Sequence, residues 1–310
     1  MTSPSDLPAV PLPFGGPPVR THRHGWWWKT LLAGLGLWIL TVVVTVITLN
    51  ANLIPTLILV GSFLVPLCVV LFAAERLQGN MTVTGVILLF FLSGLFGVLG
   101  ASLLESYLTG SVWTLLLIGI IEETLKLLIL VVAGRRYVPK TAGQGALLGA
   151  VVGAGFAAFE SAGYAFNAAL SAGQGVDLVA LVQTEVLRAA LSPIGHVLWT
   201  SILGAVLFAA ARGGTRYRIT PALGVALIGV ALLHAAWDGA AALAEFLALA
   251  LTGTLATAES TGTTPADAAG AVAALTLTLY IVGLVIVSGI GLLTLTLVLR
   301  RHRQSIAPSA

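Results

Sequence analysis

Apolar runs recur along the chain, each long enough to cross a membrane and each separated from the next by a short polar break. They fall at about 26–49, 52–73, 82–103, 111–133, 143–170, 186–211, 219–248 and 269–299. A bilayer hydrocarbon core about 30 Å thick demands roughly 20 residues of helix. Each run therefore predicts one spanning helix, and the set predicts an all-α polytopic membrane protein with about eight transmembrane helices. Residues 1–25, rich in proline, glycine and polar residues, predict a disordered tail. Residues 26–300 form the transmembrane domain, and 301–310 form a second tail. The run beginning at Trp26 is too long for a signal-peptide core and has no small-residue cleavage site, so it is expected to be retained as the first helix.

Charge orders these runs. Both ends and alternate loops hold 13 of the 15 basic residues: Arg20, Arg23, Lys29, Arg76, Arg135, Arg136, Lys140, Arg212, Arg216, Arg218, Arg300, Arg301 and Arg303. The other loops are assigned Glu105, Asp177, Glu185, Glu259 and Asp267, and no Lys or Arg. The positive-inside rule then predicts that both termini are cytoplasmic, and an odd number of helices would destroy the alternation. Composition agrees, with 58% hydrophobic and only 9% charged residues, against about 25% charged in a soluble domain. The net charge of +3 is explained by the cytoplasmic loops, so the bilayer is an expected partner and nucleic acid is not. The single cysteine, Cys68, lies in an apolar run and allows no intramolecular disulfide. The stripe Gly145, Gly149, Gly153, Ala157 and Ser161 predicts close approach of another helix to the fifth run.

A few ionisable residues remain inside the spans. The fourth run carries Glu122, Glu123 and Lys126, the fifth Glu160, the sixth Arg188 and His196, and the seventh His234, Asp238 and Glu245. A charge at the bilayer centre costs roughly 2.5–3.5 kcal/mol on insertion scales, so such residues call for a function. At 1.5 Å of rise per residue, Glu122, Glu160, His196 and His234 fall at nearly one depth. Lys126 follows Glu122 by four residues and Glu123 by three, so it can pair with either. Asp238 is placed to orient His234. Pro193 is expected to bend the sixth helix just before His196 and to suit a water-filled cavity. Arg188 reads as a structural residue near the outer interface.

The motifs Glu122-Glu123-x-x-Lys126, Phe156-x-x-x-Glu160-x-x-x-Tyr164, His196-x-x-Trp199-Thr200 and His234-x-x-Trp237-Asp238 resemble those of PrsW-type intramembrane proteases, in the same order. Members commonly carry Asn after the second-motif glutamate, where this chain has Ser161. The resemblance implies a superfamily shared with CAAX prenyl proteases and bacteriocin-processing proteins. It also implies a multi-pass protein of the cell membrane with a membrane-anchored protein substrate, an anti-sigma factor among the candidates.

The catalytic core is expected at about 111–245, with Glu122, Glu123, Lys126, Glu160, His196, His234 and Asp238 as site residues. One of Glu122 and Glu123, with Glu123 favoured, is expected to act as general base on a water. Glu160, His196 and His234 either ligate Zn²⁺, for which two histidines and a carboxylate suffice, or bind the water and the developing oxyanion without metal. The rival readings are a proton- or cation-coupled transporter, which predicts broken helices and internal repeats, and a non-catalytic membrane scaffold.

Overall fold

The computed structural model describes residues 25–111, 113–170, 175–211, 214–264 and 268–304. Among these residues the chain is helical, with no strand. In order the helices are α1 (Trp26–Thr48), α2 (Ile54–Ala74, preceded by a 3-10 turn at Ala51–Leu53), α3 (Val83–Glu105), α4 (Thr114–Gly134) and α5 (Ala142–Ala169). They continue with α6 (Leu178–Leu191), a 3-10 turn at Ser192–Ile194, α7 (His196–Ala209), α8 (Pro221–Asp238), α9 (Ala240–Leu251), α10 (Leu255–Thr261) and α11 (Ala269–Gln304). Residues 1–24 and 305–310 of the expected tails lie outside the described residues, as does Asp267, whereas 301–304 continue α11.

Seven spans qualify on length and apolarity: α1, α2 with its preceding turn, α3, α5, α6 with α7, α8 and α11. The eighth is α4, whose 21 residues are set apart only by Glu122, Glu123 and Lys126. The helices α9 and α10 bend by 113° where they meet. With 12 residues, α9 reaches roughly 18 Å, which is short of the hydrocarbon thickness. The eight-span reading therefore stands, and the protein is an all-α polytopic membrane protein.

Two expected boundaries move. The sixth span starts at Leu178, not 186, because Asp177 caps it: its side chain accepts a hydrogen bond from the Ala180 amide at 2.9 Å. Glu185, expected in a loop, is consequently buried inside the bundle, where Trp38 Nε1 of α1 donates to its Oε2 at 2.7 Å. The seventh run, expected as one helix over 219–248, breaks at Gly239, directly after Trp237-Asp238.

α5 is the centre of the bundle, packing against α2, α3, α6 and α7. Its stripe of small residues faces α7 at backbone-to-backbone distance. A Cβ added at Gly145 would lie 2.1 Å from the Gly204 carbonyl oxygen, at Gly149 2.2 Å from that of Thr200, and at Gly153 2.4 Å from that of His196. α4 packs against α3 and α8, and α8 against α7, so α4, α5, α7 and α8 surround one interior. Outside them α1 buries a single residue, Thr45, as expected of a helix whose solvent is lipid. The α4–α5 loop is fastened by Tyr137, whose hydroxyl donates to the Gln78 carbonyl and to Gln144 Oε1. Burial pushes its pKa up to about 12, so it remains a neutral donor.

Gly149→Ala is expected to destabilise the protein by about 1–3 kcal/mol through overpacking against a backbone that cannot yield locally. Gly143→Ala, where a Cβ meets nothing within 4 Å, is expected to be neutral or slightly stabilising. Thermal unfolding of both variants in detergent checks this; equal melting temperatures would show that the α5–α7 contact is not close.

Candidate active site

On α4 the spacing i, i+3, i+4 puts Lys126 over both glutamates. Its Nζ donates to Glu123 Oε1 at 2.7 Å and to Glu122 Oε2 at 3.1 Å, and lies 2.8 Å from His196 Nδ1. Lys126 and Glu123 are completely enclosed, and Phe156 supplies an aromatic face 4.0 Å from the ammonium. His234 reaches in from α8, with Nδ1 3.1 Å from Glu123 Oε1 and Nε2 3.6 Å from Glu122 Oε2. Asp238 Oδ2 lies 3.4 Å from the same Nε2. His196, the first residue of α7 after the break at Pro193, places Nε2 2.9 Å from Glu160 Oε2. Trp199 closes the floor, its ring 4.7 Å from that of His234 and 5.2 Å from that of His196.

The donors decide the histidine tautomer. An ammonium only donates, so His196 Nδ1 accepts from Lys126; Nε2 then carries the proton and donates to Glu160. In the same way a neutral His234 that gives its Nδ1 proton to Glu123 keeps a lone pair on Nε2, between Glu122 and Asp238.

All seven residues expected at the site thus converge, and the two glutamates separate. Glu122, 5% exposed, lines a cavity of about 370 Å³ together with Glu105, Phe156, Glu160, Tyr164 and Asp238. Glu123, at 0%, does not line it. Glu245 stands apart on α9, beside a different hollow lined by Tyr280. Two residues read from sequence as peripheral belong here. Glu105, expected in a loop, ends α3 in the cavity wall with its Oε1 buried and without a hydrogen-bond partner among the described residues. Arg188, expected at the interface, ion-pairs with Glu160 and donates from Nε to Ser161 Oγ at 2.9 Å. Its signal in the sequence was simply a charge within a span.

The residues nearest to a metal-binding set are Glu122, Glu123, His196 and His234, whose ligand atoms lie within 4.8 Å of one another. Glu160, expected as a ligand with the two histidines, stands outside that group, its Oε2 engaged by Arg188 and His196. Two observations are compatible with a bound cation. Glu123 Oε2 is buried without a hydrogen-bond partner among the described residues. The cluster also sets four carboxylates, Glu122, Glu123, Glu160 and Asp238, against two permanent cations, Lys126 and Arg188. One dication or two protons would balance it. For His196 to coordinate, it would exchange its hydrogen bond with Lys126 or Glu160 for the metal.

Carboxylates and imidazoles enclosed together within the helical bundle beside a polar cavity are a set suited to a membrane-embedded hydrolase. A family model for PrsW family intramembrane metalloprotease matches residues 55–260, and the chain belongs to that family. It is an intramembrane peptidase, and a membrane-embedded protein is its substrate. No match is found among curated proteins, and none among solved structures.

Lys126→Met leaves two buried carboxylates without their ammonium, and loss of one partner of a buried pair costs about 3–5 kcal/mol. The melting temperature in detergent is expected to fall accordingly, and adding Glu123→Gln is expected to recover part of it. Strictly additive losses would show that the pair does not form.

Proposed function

We propose that the protein hydrolyses a peptide bond in or near the span of a membrane-anchored protein, with Glu122 as the general base. The observation that carries this is the division between the glutamates. Glu122 faces the 370 Å³ cavity, whereas Glu123 is held between Lys126 Nζ and His234 Nδ1. This reverses the preference for Glu123 that the sequence suggested.

A water in the cavity gives a proton to Glu122 as its oxygen bonds to the scissile carbonyl carbon. The resulting oxyanion is met by His234 in its doubly protonated form, which keeps Nδ1–H on Glu123 and turns the Nε2–H, close to both Glu122 and Asp238, toward the oxyanion. The C–N bond then breaks, and Glu122 returns the proton to the departing nitrogen. Lys126 keeps Glu122 oriented throughout, and Glu123 holds the His234 ring in place. If a metal is bound, Glu123, His196 and His234, out of the four residues whose ligand atoms lie together, would hold it and leave Glu122 as the base, and it would supply Lewis acidity toward the carbonyl and the water.

The loop charges support cytoplasmic termini and a cavity opening toward the outer leaflet. The family resemblance points to the cell membrane as the location and to single-span regulatory proteins such as anti-sigma factors as substrates. Broken helices also fit the transporter reading, but here the break at 192–195 directly precedes His196 of the hydrolytic cluster and the one at Gly239 directly follows Asp238.

In liposomes with a fluorescently tagged single-span protein, Glu122→Gln is expected to lower kcat by about 10²–10⁴-fold, the range of general-base catalysis. Cleavage at the wild-type rate by Glu122→Gln would falsify the assignment of the base. A strong chelator is expected to abolish cleavage and zinc to restore it if metal takes part; full activity in chelator establishes the metal-free version.

A further inference from the structure

One side chain from α6 governs a site otherwise built from α4, α5, α7 and α8. Arg188 Nη2 ion-pairs with Glu160 Oε2, while Arg188 Nε donates to Ser161 Oγ at 2.9 Å. Its guanidinium carbon stands 4.2 Å over the Tyr164 ring. Three contacts on one face of α5 thus hold a planar fork in one orientation, which a lysine could not reproduce. The oxygen that Arg188 grips is the one that receives His196 Nε2 at 2.9 Å. From there the chain of hydrogen bonds runs through His196 Nδ1 to Lys126 and on to both glutamates.

Glu160 is therefore turned toward His196 by a residue on a different helix. With Arg188 absent, the Glu160 carboxylate would lose the only permanent cation that stands at ion-pair distance from it among the described residues, and would be free to rotate into the cavity. Ser161 takes part because its hydroxyl accepts from the guanidinium Nε.

We infer that Arg188 is a positioning residue for peptide hydrolysis: it sets the Glu160 carboxylate against His196 Nε2, and so fixes the imidazole that Lys126 contacts. The inference rests on the peptidase reading. Arg188 touches no reacting atom, and its effect passes through Glu160.

The test uses the full-length protein in liposomes with the tagged single-span protein, beside wild type and Glu122→Gln. Arg188→Ala is expected to lower kcat by about 10–100-fold, as loss of an orienting partner does elsewhere, with KM changed far less. Methylguanidinium is expected to recover part of the loss and methylammonium none, since a cavity of about 110 Å³ lined by Glu160, Ser161, Arg188 and Tyr280 adjoins the site. In a Glu160→Gln background, Arg188→Ala is expected to cost nothing further. Arg188→Lys keeps the charge and guards against a failure to fold; it is expected to lose kcat several-fold with an unchanged melting temperature. Wild-type kcat in Arg188→Ala or Arg188→Lys overturns the inference, as does multiplication of the Arg188 and Glu160 losses. Cleavage by wild type and its loss in Glu122→Gln test the peptidase reading independently of Arg188, and absence of cleavage by wild type overturns both.

Discussion

The buried ammonium of Lys126 is the group on which the site depends. Taking an ion out of water costs several kcal/mol even after relaxation, and the cost is met only where geometry satisfies the whole hydrogen-bonding capacity. Lys126 has three donors and finds three acceptors: Glu122 Oε2, Glu123 Oε1 and His196 Nδ1. Each contact constrains its partner. Both carboxylates are held on one side of α4, and His196 is committed to a single tautomer. That tautomer in turn presents an N–H to Glu160. A compact ammonium suits this centre better than a guanidinium, whose planar fork spreads its donors over a wider arc. Arg188 occupies the periphery, where two α5 side chains, Glu160 and Ser161, accept from that fork.

The electrostatics are held together by packing that has no polar content. Gly145, Gly149 and Gly153 let the α7 backbone approach to a distance that no larger residue permits. Small-residue contacts of this kind are how helices associate where lipid removes the hydrophobic driving force. Glu160 lies two turns beyond Gly153 on α5, and His196 begins the helix that Gly153 touches. The 2.9 Å contact between them follows from how closely the two backbones pass. Helix packing thus sets the distance across which the hydrogen bond forms.

What the sequence revealed and what it concealed divide along physical lines. Apolar run length foretells the spans because bilayer thickness fixes it, and Lys126 pairs with Glu122 and Glu123 because the i, i+3 and i, i+4 relations are internal to one helix. Contacts between helices were less accessible. Arg188 precedes His196 by two turns on what reads as one helix, but the 3-10 turn at Ser192–Ile194 resets the phase between them. Spacing alone therefore could not direct Arg188 toward Glu160. Glu185 looked like a loop residue because nothing local reveals that Trp38, nearly 150 residues earlier, offers its indole N–H. The choice between Glu122 and Glu123 was similarly hidden. Adjacent residues of a helix point about 100° apart, and which of these two faces the cavity depends on how α3, α5 and α8 pack around α4.

The cavity also constrains how a substrate is presented. The space before Glu122 is a hollow of about 370 Å³ inside the bundle. In a wound helix each backbone carbonyl is engaged by the amide four residues on, so an internal bond of a spanning helix is presented poorly to Glu122 while wound. The segment must arrive extended, with amide groups released from their helical partners. Inside a membrane such a backbone is tolerated only within a protein cavity that offers polar partners. Ser102, Glu105, Tyr164 and Asp238 line this one and meet that requirement. Unwinding is cheapest where a helix already frays, at its end, so on the proposed peptidase reading a bond near the boundary of a substrate's span costs less to expose than one at its middle.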